Sequence, residues 1–393
     1  MESELACRAD GIRNWPWAGD LPTDVRITRI IGFDLVSRRP KFVGRNSRLG
    51  DHGDTATDRM VRLFTNAGVE GLGYCAADES VLAVMLGTDP FAQFRNPSVE
   101  NPLAEGTMPL WDLVGKALGK PVYELLGARG PKRVPAYDGS IYFADLIPEY
   151  AGNWPERFRW EIDLGRKQGH TAFKVKIGRG AKWMPAEEGF ERDKAVLTTI
   201  REDAGPEAVI GVDANNGYDL ARTKRFLTET ADLNLAFIEE MFPEDVEQNL
   251  ELQAFLKEHG LGALVCDGET QDTLEPLRPL MEAGAVDIYQ ADMRRFGIEG
   301  ILTEAAWAEE CGLKVAPHNW GSLIGYIMIL HIGREIPNFY MAEHDPLDTD
   351  VLIAEGYDLE NGLATVPATP GFGLALDEER FAAGVNPRFD LLA

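Results

Sequence analysis

Residues 172–178 read AFKVKIG, and the two lysines in that run decide how the surrounding chain has to fold. Phe173, Val175 and Ile177 alternate with Lys174 and Lys176. In a strand, residues two apart point to the same face. Both ammonium groups therefore leave the backbone side by side. Burying one ammonium is costly, and burying two like charges together is worse. The run requires something of opposite charge on that side.

Outward from this run the chain has a rhythm. VPAYDGSIYF (134–143), AFKVKIG, AVIGVDANN (208–216), LAFIEEMF (235–242), ALVCDGET (263–270), VDIYQADM (286–293), LKVAPHNW (313–320) and FYMAEHD (339–345) each begin apolar and end polar. Helix-like sequence separates most of them, such as GFERDKAVLTTIRED and DLARTKRFLTETAD. Strands alternating with helices predict parallel pairing with helical crossovers. Eight of them predict an α/β fold of the (β/α)8 barrel type, whose active site lies at the C-terminal ends of the strands. The polar ends fall at that place. Ahead of the barrel, VRITRIIGFDLV and MVRLFTNAGVEGLGYC read as strands around a turn-rich segment, KFVGRNSRLGDHGD, and WDLVGKALGKPVYELLG reads as helical. The organisation expected is an irregular extension over 1–24, an N-terminal α+β domain over 25–133, the barrel over 134–364, and a segment over 365–393 that packs back on the N-terminal domain.

The strand ends supply the opposite charge. After Lys174 and Lys176 come Asp213 and Asn215, Glu239 and Glu240, Asp267 and Glu269, Asp292, His318 and Glu343, in strand order. Asp213, Glu239 and Glu269 lie 26 and 30 residues apart, one strand–helix unit each. Three carboxylates on one rim favour a hard divalent cation, and Mg²⁺ is the ion that keeps waters and binds substrate oxygens. A neighbouring ammonium and a cation would both push the pKa of Lys176 down, toward that of a usable base. Asp292 and His318 come from adjacent strands nearly opposite the lysines, and an Asp that orients a His makes an acid/base pair. Arg45, Arg48 and His52 in the N-terminal turn, Asn215, and the Trp183 and Trp320 rings are candidates for substrate contact. A solvated loop, a helix cap or ordinary packing accounts for most of these features taken singly. Their arrival in order at successive strand ends is what carries the reading.

Bulk properties narrow the partners. A net charge of −25 argues against nucleic acid and anionic membranes as partners, since both need a basic face. The most apolar stretch, SLIGYIMILHIG, is too short to span a bilayer. Cys7, Cys75, Cys266 and Cys311 form no CxxC pair, so neither a zinc site nor a disulfide framework is expected, and free thiols suit a reducing cytoplasm.

These residues together resemble the enolase superfamily, and within it the mandelate racemase subgroup. The resemblance runs from about residue 25 onward. TMPLWDLVGKALGKPVYELLG is similar to the segment that joins the capping domain to the barrel. FKVKIG resembles the subgroup's KxK strand, and GVDANNGY, FIEEMFPED and CDGE resemble its metal-ligand strands. YQADM and PHNW are similar to its Asp–His dyad, and MAEH to its strand-eight glutamate. Ala291 and Met241 stand where proline is frequent, and RRFGIEG replaces the usual Gly-Gly turn.

The resemblance implies a modified barrel with a capping domain completed by the C-terminal tail. It implies one Mg²⁺ on Asp213, Glu239 and Glu269, with the substrate carboxylate at the metal. Lys176 would be the base on one face, with Lys174 tuning it and contacting the carboxylate. His318, oriented by Asp292, would serve the other face, and Glu343 would hydrogen-bond the carboxylate. The loop from Arg45 to His52 would close the site. A homodimer or octamer is expected by the same analogy.

The activity expected is removal of the proton α to a carboxylate, followed by loss of a β-hydroxyl from an acid sugar to give a 2-keto-3-deoxy acid. Racemisation or epimerisation uses the same groups. A Schiff-base aldolase on a barrel lysine leaves the three rim carboxylates unexplained, and a non-catalytic sugar- or protein-binding barrel does not need the ordered set.

Overall fold

In the computed structural model, the structure describes residues 14–99, 101–273 and 275–393. The N-terminal sheet is an antiparallel meander of β1 (Ile27–Val43), β2 (Gly53–Thr65) and β3 (Glu70–Tyr74). The outer half of β1 alternates buried and exposed residues, as a strand with one solvated face requires. The C-terminal strand Pro387–Leu392 adds to its free edge, pairing antiparallel with β1 from Arg29↔Leu392 onward. Gly32 allows this, because a Cβ there would fall 2.1 Å from the Phe389 ring. The tail thus completes the N-terminal sheet, as expected.

The segment expected to be an irregular extension is partly core. Trp15 and Trp17 pack on Trp111 with ring centroids 4.9 and 5.8 Å away, and Trp17 donates its indole N–H to the Leu125 carbonyl at 2.8 Å. Burial of two tryptophans explains why this stretch is fixed although its one regular element is the 3-10 turn Ala18–Asp20. Residues 1–13 of the expected extension, with Cys7, lie outside the described residues.

The eight barrel strands are β4 (Val134–Ile141), β5 (Ala172–Lys176), β6 (Val209–Asp213), β7 (Phe237–Glu239), β8 (Leu264–Asp267), β9 (Ile288–Tyr289), β10 (Lys314–Val315) and β11 (Ala342–His344). From β4 to β10 each is paired parallel to the next. β11 returns to pair with β4, Glu343 opposite Tyr137, and Phe339 just ahead of it bridges Val315 of β10. The curled sheet therefore comes round on itself through its last strand. A short hairpin, Leu359–Glu360 with Leu363–Ala364, adds antiparallel pairing to the start of β4.

The turn between β1 and β2 reaches over the barrel mouth. Arg45 forms a bridge with Phe143 at the end of β4. Ser47 donates its hydroxyl to the carbonyls of Ala214 and Asn215 at 2.7 and 3.0 Å. Gly44 lets the two backbones approach, since a Cβ there would be 2.7 Å from the Phe143 carbonyl. Asp58 of β2 accepts from the Leu323 amide at 3.0 Å and from the Ser322 hydroxyl, at the start of the helix Leu323–Gly333. These contacts fix the turn against the strand ends. No helix among the described residues is long and apolar enough to cross a membrane.

Candidate active site

All five residues of β5 are buried, the two lysines included. Their register explains how that is tolerated. Lys176 lies opposite Asp213 on β6, and Asp213 opposite Glu239 on β7, so one row across three strands sets an ammonium beside two carboxylates. Lys174 donates to Glu239 Oε1 at 2.7 Å, is equally close to Glu343 Oε1, and sits 3.7 Å from Asp213. Lys176 donates to Asp213 Oδ2. Glu343 fits beside β4 because residue 139 is glycine; a Cβ there would lie 2.6 Å from Glu343 Oε1. The second Glu343 oxygen accepts from the Asn319 amide at 3.0 Å.

Asp213, Glu239 and Glu269 each bring an oxygen within 4.8 Å of the others. Two of the three are strand-end residues and Glu269 follows β8 in a loop whose Gly268 has φ +127°. Burial pushes Glu239 up to about 8, with the Asp213 and Glu343 charges adding to the push against the pull of Lys174. Burial also disfavours the Asp213 carboxylate, yet the two lysines hold it down at about 2. Glu269 Oε2 is buried and accepts from no fixed donor, the nearest nitrogen being His318 Nε2 at 3.2 Å. An all-oxygen set with a buried carboxylate oxygen that no hydrogen bond fixes fits a hard divalent cation.

Lys176 differs from expectation. Burial, the largest single effect, and Lys174 push its pKa down, but the Asp213 carboxylate in contact, with Tyr142 and Glu269 adding to it, holds it above the ordinary lysine value. The downward push expected from the sequence counted the cation and the second lysine, and left out the carboxylate against which the register places Lys176.

His318 Nδ1 lies 2.8 Å from Asp292 Oδ2, and the two residues form a parallel bridge between strand ends. Asp292 also accepts at its other oxygen from the amides of Arg294 and Arg295, both at 3.0 Å, so it caps the helix Met293–Glu310. Those bonds fix its rotamer. Burial works against the imidazolium, but Glu269, Glu343 and Asp292 raise the His318 pKa to about 9. The triad therefore has Lys176 at its Asp213 end and His318 at its Glu269 end.

The substrate-contact candidates divide. Arg45 stacks on Trp183, its carbon 4.6 Å from the ring, and pairs with Asp51 of its own loop. Arg48 reaches Glu240 and Glu269 at 3.4 and 3.5 Å. Asn215 donates to Glu240 at 3.1 Å and leaves its own side-chain Oδ1 buried without a partner. Trp183 donates to the Asn46 carbonyl at 2.6 Å, which holds the loop rather than lining the triad. His52 and Trp320 are joined by a 3.0 Å bond. Asp267 lies off the triad beside Glu244, its carboxyl pushed up by burial and that neighbour.

Two residues were missed in the sequence. Gln290 donates to Glu239 Oε2 at 2.8 Å and so orients a triad carboxylate. Tyr142, just beyond β4, lies 5.0 Å by ring centre from the Lys176 ammonium and stacks on Trp320 at 4.5 Å. Both stand at strand ends, so the same reading applied to β4 and to every polar residue of YQAD finds them.

The family described as "Enolase C-terminal domain-like" matches residues 161–380. Among curated proteins, the arabinonate dehydratase of Saccharolobus solfataricus is 32% identical over 275 residues, 69% of each chain. The D-galactarolactone cycloisomerase of Agrobacterium fabrum is 28% identical over 284 residues, 69% of this chain and 70% of that one. Among solved structures, a galacturonate dehydratase from Geobacillus sp. with D-galacturonate and 5-keto-4-deoxy-D-galacturonate superposes with a TM-score of 0.83 at 32% identity, covering 92% of this chain and 97% of that one. A mutant of that enzyme, in complex with Mg, gives a TM-score of 0.85 at 32% identity, over 92% and 96% of the two chains.

Proposed function

Since this chain belongs to the enolase superfamily, in its mandelate racemase/muconate lactonizing subgroup, we propose that it dehydrates an acid sugar to a 2-keto-3-deoxy acid. The observation that carries this reading is the placement of an amine and a carboxylate-oriented imidazole at opposite ends of one carboxylate triad. Asp213, Glu239 and Glu269 would hold Mg²⁺, which when bound supplies positive charge opposite the oxygens of the enolised carboxylate.

The chain's own groups divide the rest of the work. Lys176 Nζ takes the α-proton. Lys174, pinned by Glu239 and Glu343, faces the carboxylate with a fixed positive charge. His318 Nε2 gives a proton to the departing β-hydroxyl, so the carbon–oxygen bond breaks with loss of water. Asp292 holds Nδ1–H and stabilises the imidazolium before transfer. The enol left behind gives up its hydroxyl proton and gains one at carbon 3. Each proton transfer by a positioned group contributes about 10²–10⁴-fold.

The test is a screen of acid sugars in D₂O with Mg²⁺, reading α-deuterium uptake and 2-keto acid together. Keto acid formed by the wild type and lost in Lys176→Ala supports dehydration. Deuterium uptake with the β-oxygen retained in every product would replace it with epimerisation, which the same pair of groups can perform. Activity that survives chelator and is trapped by borohydride on Lys176 would replace both with Schiff-base chemistry.

A further inference from the structure

Tyr142, Trp320 and His52 make one wall of the barrel mouth. Tyr142 and Trp320 stack, and His52 meets them edge-on with ring centroids 4.8 and 5.5 Å away. Because the Lys176 ammonium faces the Tyr142 ring, this wall continues from the proposed base. The Trp320 indole N–H lies 3.0 Å from His52 Nδ1. An indole nitrogen can only donate. Nδ1 must therefore accept, and the ring proton is left on Nε2. That nitrogen is buried and has no partner. Burial and the Lys176 charge keep the imidazole neutral, with its pKa down at about 4. The wall thus combines aromatic rings with one buried, unused neutral donor.

Most cations around it are engaged by carboxylates, and Arg294 donates to the Trp320 carbonyl at 2.8 Å. Arg39 lies 4.6 Å over the Trp320 ring, but Asp345 holds its guanidinium with bonds of 2.7 and 2.8 Å. Asp51 holds Arg45 at 2.9 and 3.0 Å. Glu240 and Glu269 engage Arg48, and the exposed Lys182 ammonium donates to the Arg48 carbonyl. Lys174 and Lys176 are paired with the triad carboxylates Glu239 and Asp213. A second substrate carboxylate at this wall would lose its water and meet ring faces, which carry negative potential.

We infer that the wall receives the uncharged, hydroxyl-bearing end of a sugar acid with a single carboxylate, and that His52 Nε2 donates to one of its hydroxyl oxygens. The inference rests on the dehydration reading for placing that one carboxylate at the triad. It makes His52 a specificity residue, not a catalytic one.

The experiment uses C5 and C6 aldonates and the aldarates of matched configuration, with the Mg²⁺-loaded protein. Binding is measured by calorimetry on Lys176→Met, which cannot take the α-proton, and turnover on the wild type. An aldonate is expected to bind and turn over about a hundred-fold better than its aldarate, since an unpaired carboxylate is poorly accommodated. His52→Phe keeps a ring and removes the donor; it should raise KM for that aldonate about ten-fold, with the loss falling on KM more than on kcat. His52→Gln, which retains an N–H, should recover most of it. Equal or better handling of aldarates overturns the inference and leaves dehydration standing. So does an aldonate KM indifferent to His52→Phe. Aldonates that bind Lys176→Met but never exchange or lose water in the wild type overturn the dehydration reading instead. Failure of both acid classes to bind overturns both.

Discussion

Asp292 serves two elements at once: one oxygen lies 2.8 Å from His318 Nδ1, and the other accepts the two amides that open the helix Met293–Glu310. The carboxylate cannot rotate away from the imidazole without uncapping the helix. Asp292→Asn separates the two duties, because asparagine caps helices as well as aspartate does but does not hold an imidazolium. We expect stability to change by under about 1 kcal/mol, and product formation to fall about 10²–10⁴-fold. Thermal unfolding and steady-state rates on the same preparation check this. A large stability loss with a proportionate activity loss would mean that the residue acts only as a cap.

The same contact sets a pH dependence. On the proposed dehydration, His318 carries a proton to expel the hydroxyl, and its neighbours raise its pKa to about 9. The raised value means that its share of stability is present in full below the ordinary imidazole range and is lost as the pH rises through about 9. Asp292 has the opposite sign. Its carboxyl is held down to about 2 against the effect of burial, so its share is present above the ordinary carboxyl range and is lost as the pH falls through about 2. A cation on Glu269 would cancel part of the charge that raises His318. The alkaline limb of the dehydration profile should therefore fall between about 6.5 and about 9, and should move to lower pH in Asp292→Asn. A limb that stays in place in the variant rules out His318 as the acid.

Removal of the metal should act on the fold as well as on the rate. The triad crowds three buried carboxylates, and burial and repulsion leave Glu239 pushed up to about 8. An ion that binds only the folded chain stabilises it by about 2.7 kcal/mol at a hundred times Kd. Chelation should lower the melting temperature and abolish turnover, and Mg²⁺ should restore both. In Asp213→Asn the Mg²⁺-dependent rise in melting temperature should disappear. An equal rise in wild type and variant would place the ion elsewhere.

The barrel was legible because its physical signature is local. Each strand begins apolar where both faces are covered and ends polar where the mouth begins, and AFKVKIG through MAEHD repeat that sign. The carboxylate triad followed from the same ends. What could not be read was the partner of each capping-loop residue. Arg45 was readable only as a candidate for substrate contact; that Asp51 and the Trp183 ring engage it is not visible in the spacing. Trp15 and Trp17 looked like an extension because their burial depends on Trp111, some hundred residues away in sequence. The pKa of Lys176 turned on a register pairing with Asp213, a contact that spacing alone does not give.

Gly139 is a prediction made by shape alone. Its missing Cβ leaves the space that Glu343 Oε1 occupies on its way to Lys174. Gly139→Ala should displace that carboxylate, with about 1–3 kcal/mol of destabilisation from overpacking and a loss of activity beyond what the remaining folded fraction explains. Gly139→Ala combined with Glu343→Ala should regain stability relative to the single glycine variant. If the double variant is no more stable than Gly139→Ala alone, the clash lies with the backbone instead.

Arg179 carries the strongest expected effect on stability. It is fully buried just beyond β5, paired with Asp145 at 2.7 Å and Asp193 at 2.6 Å, and it donates to the Lys176 carbonyl at 3.4 Å. Asp193 also accepts from the Gly178 amide and from the Tyr218 hydroxyl, both at 2.9 Å. One guanidinium therefore joins the end of the lysine strand to the helix Ala186–Ala204 and to the segment after β4. Arg179→Met would leave Asp193 buried without a cation and Asp145 with only Arg192, at 3.2 Å. Breaking a buried pair in this way costs about 3–5 kcal/mol. Replacing all three charges, with Asp145→Asn and Asp193→Asn added, should recover part of that loss, because the stranded carboxylates are its main source. Denaturant unfolding of the single and triple variants measures the recovery. A triple variant no more stable than the single one would mean that the directional hydrogen bonds of Arg179, rather than the uncompensated charge, hold the lysine strand in place.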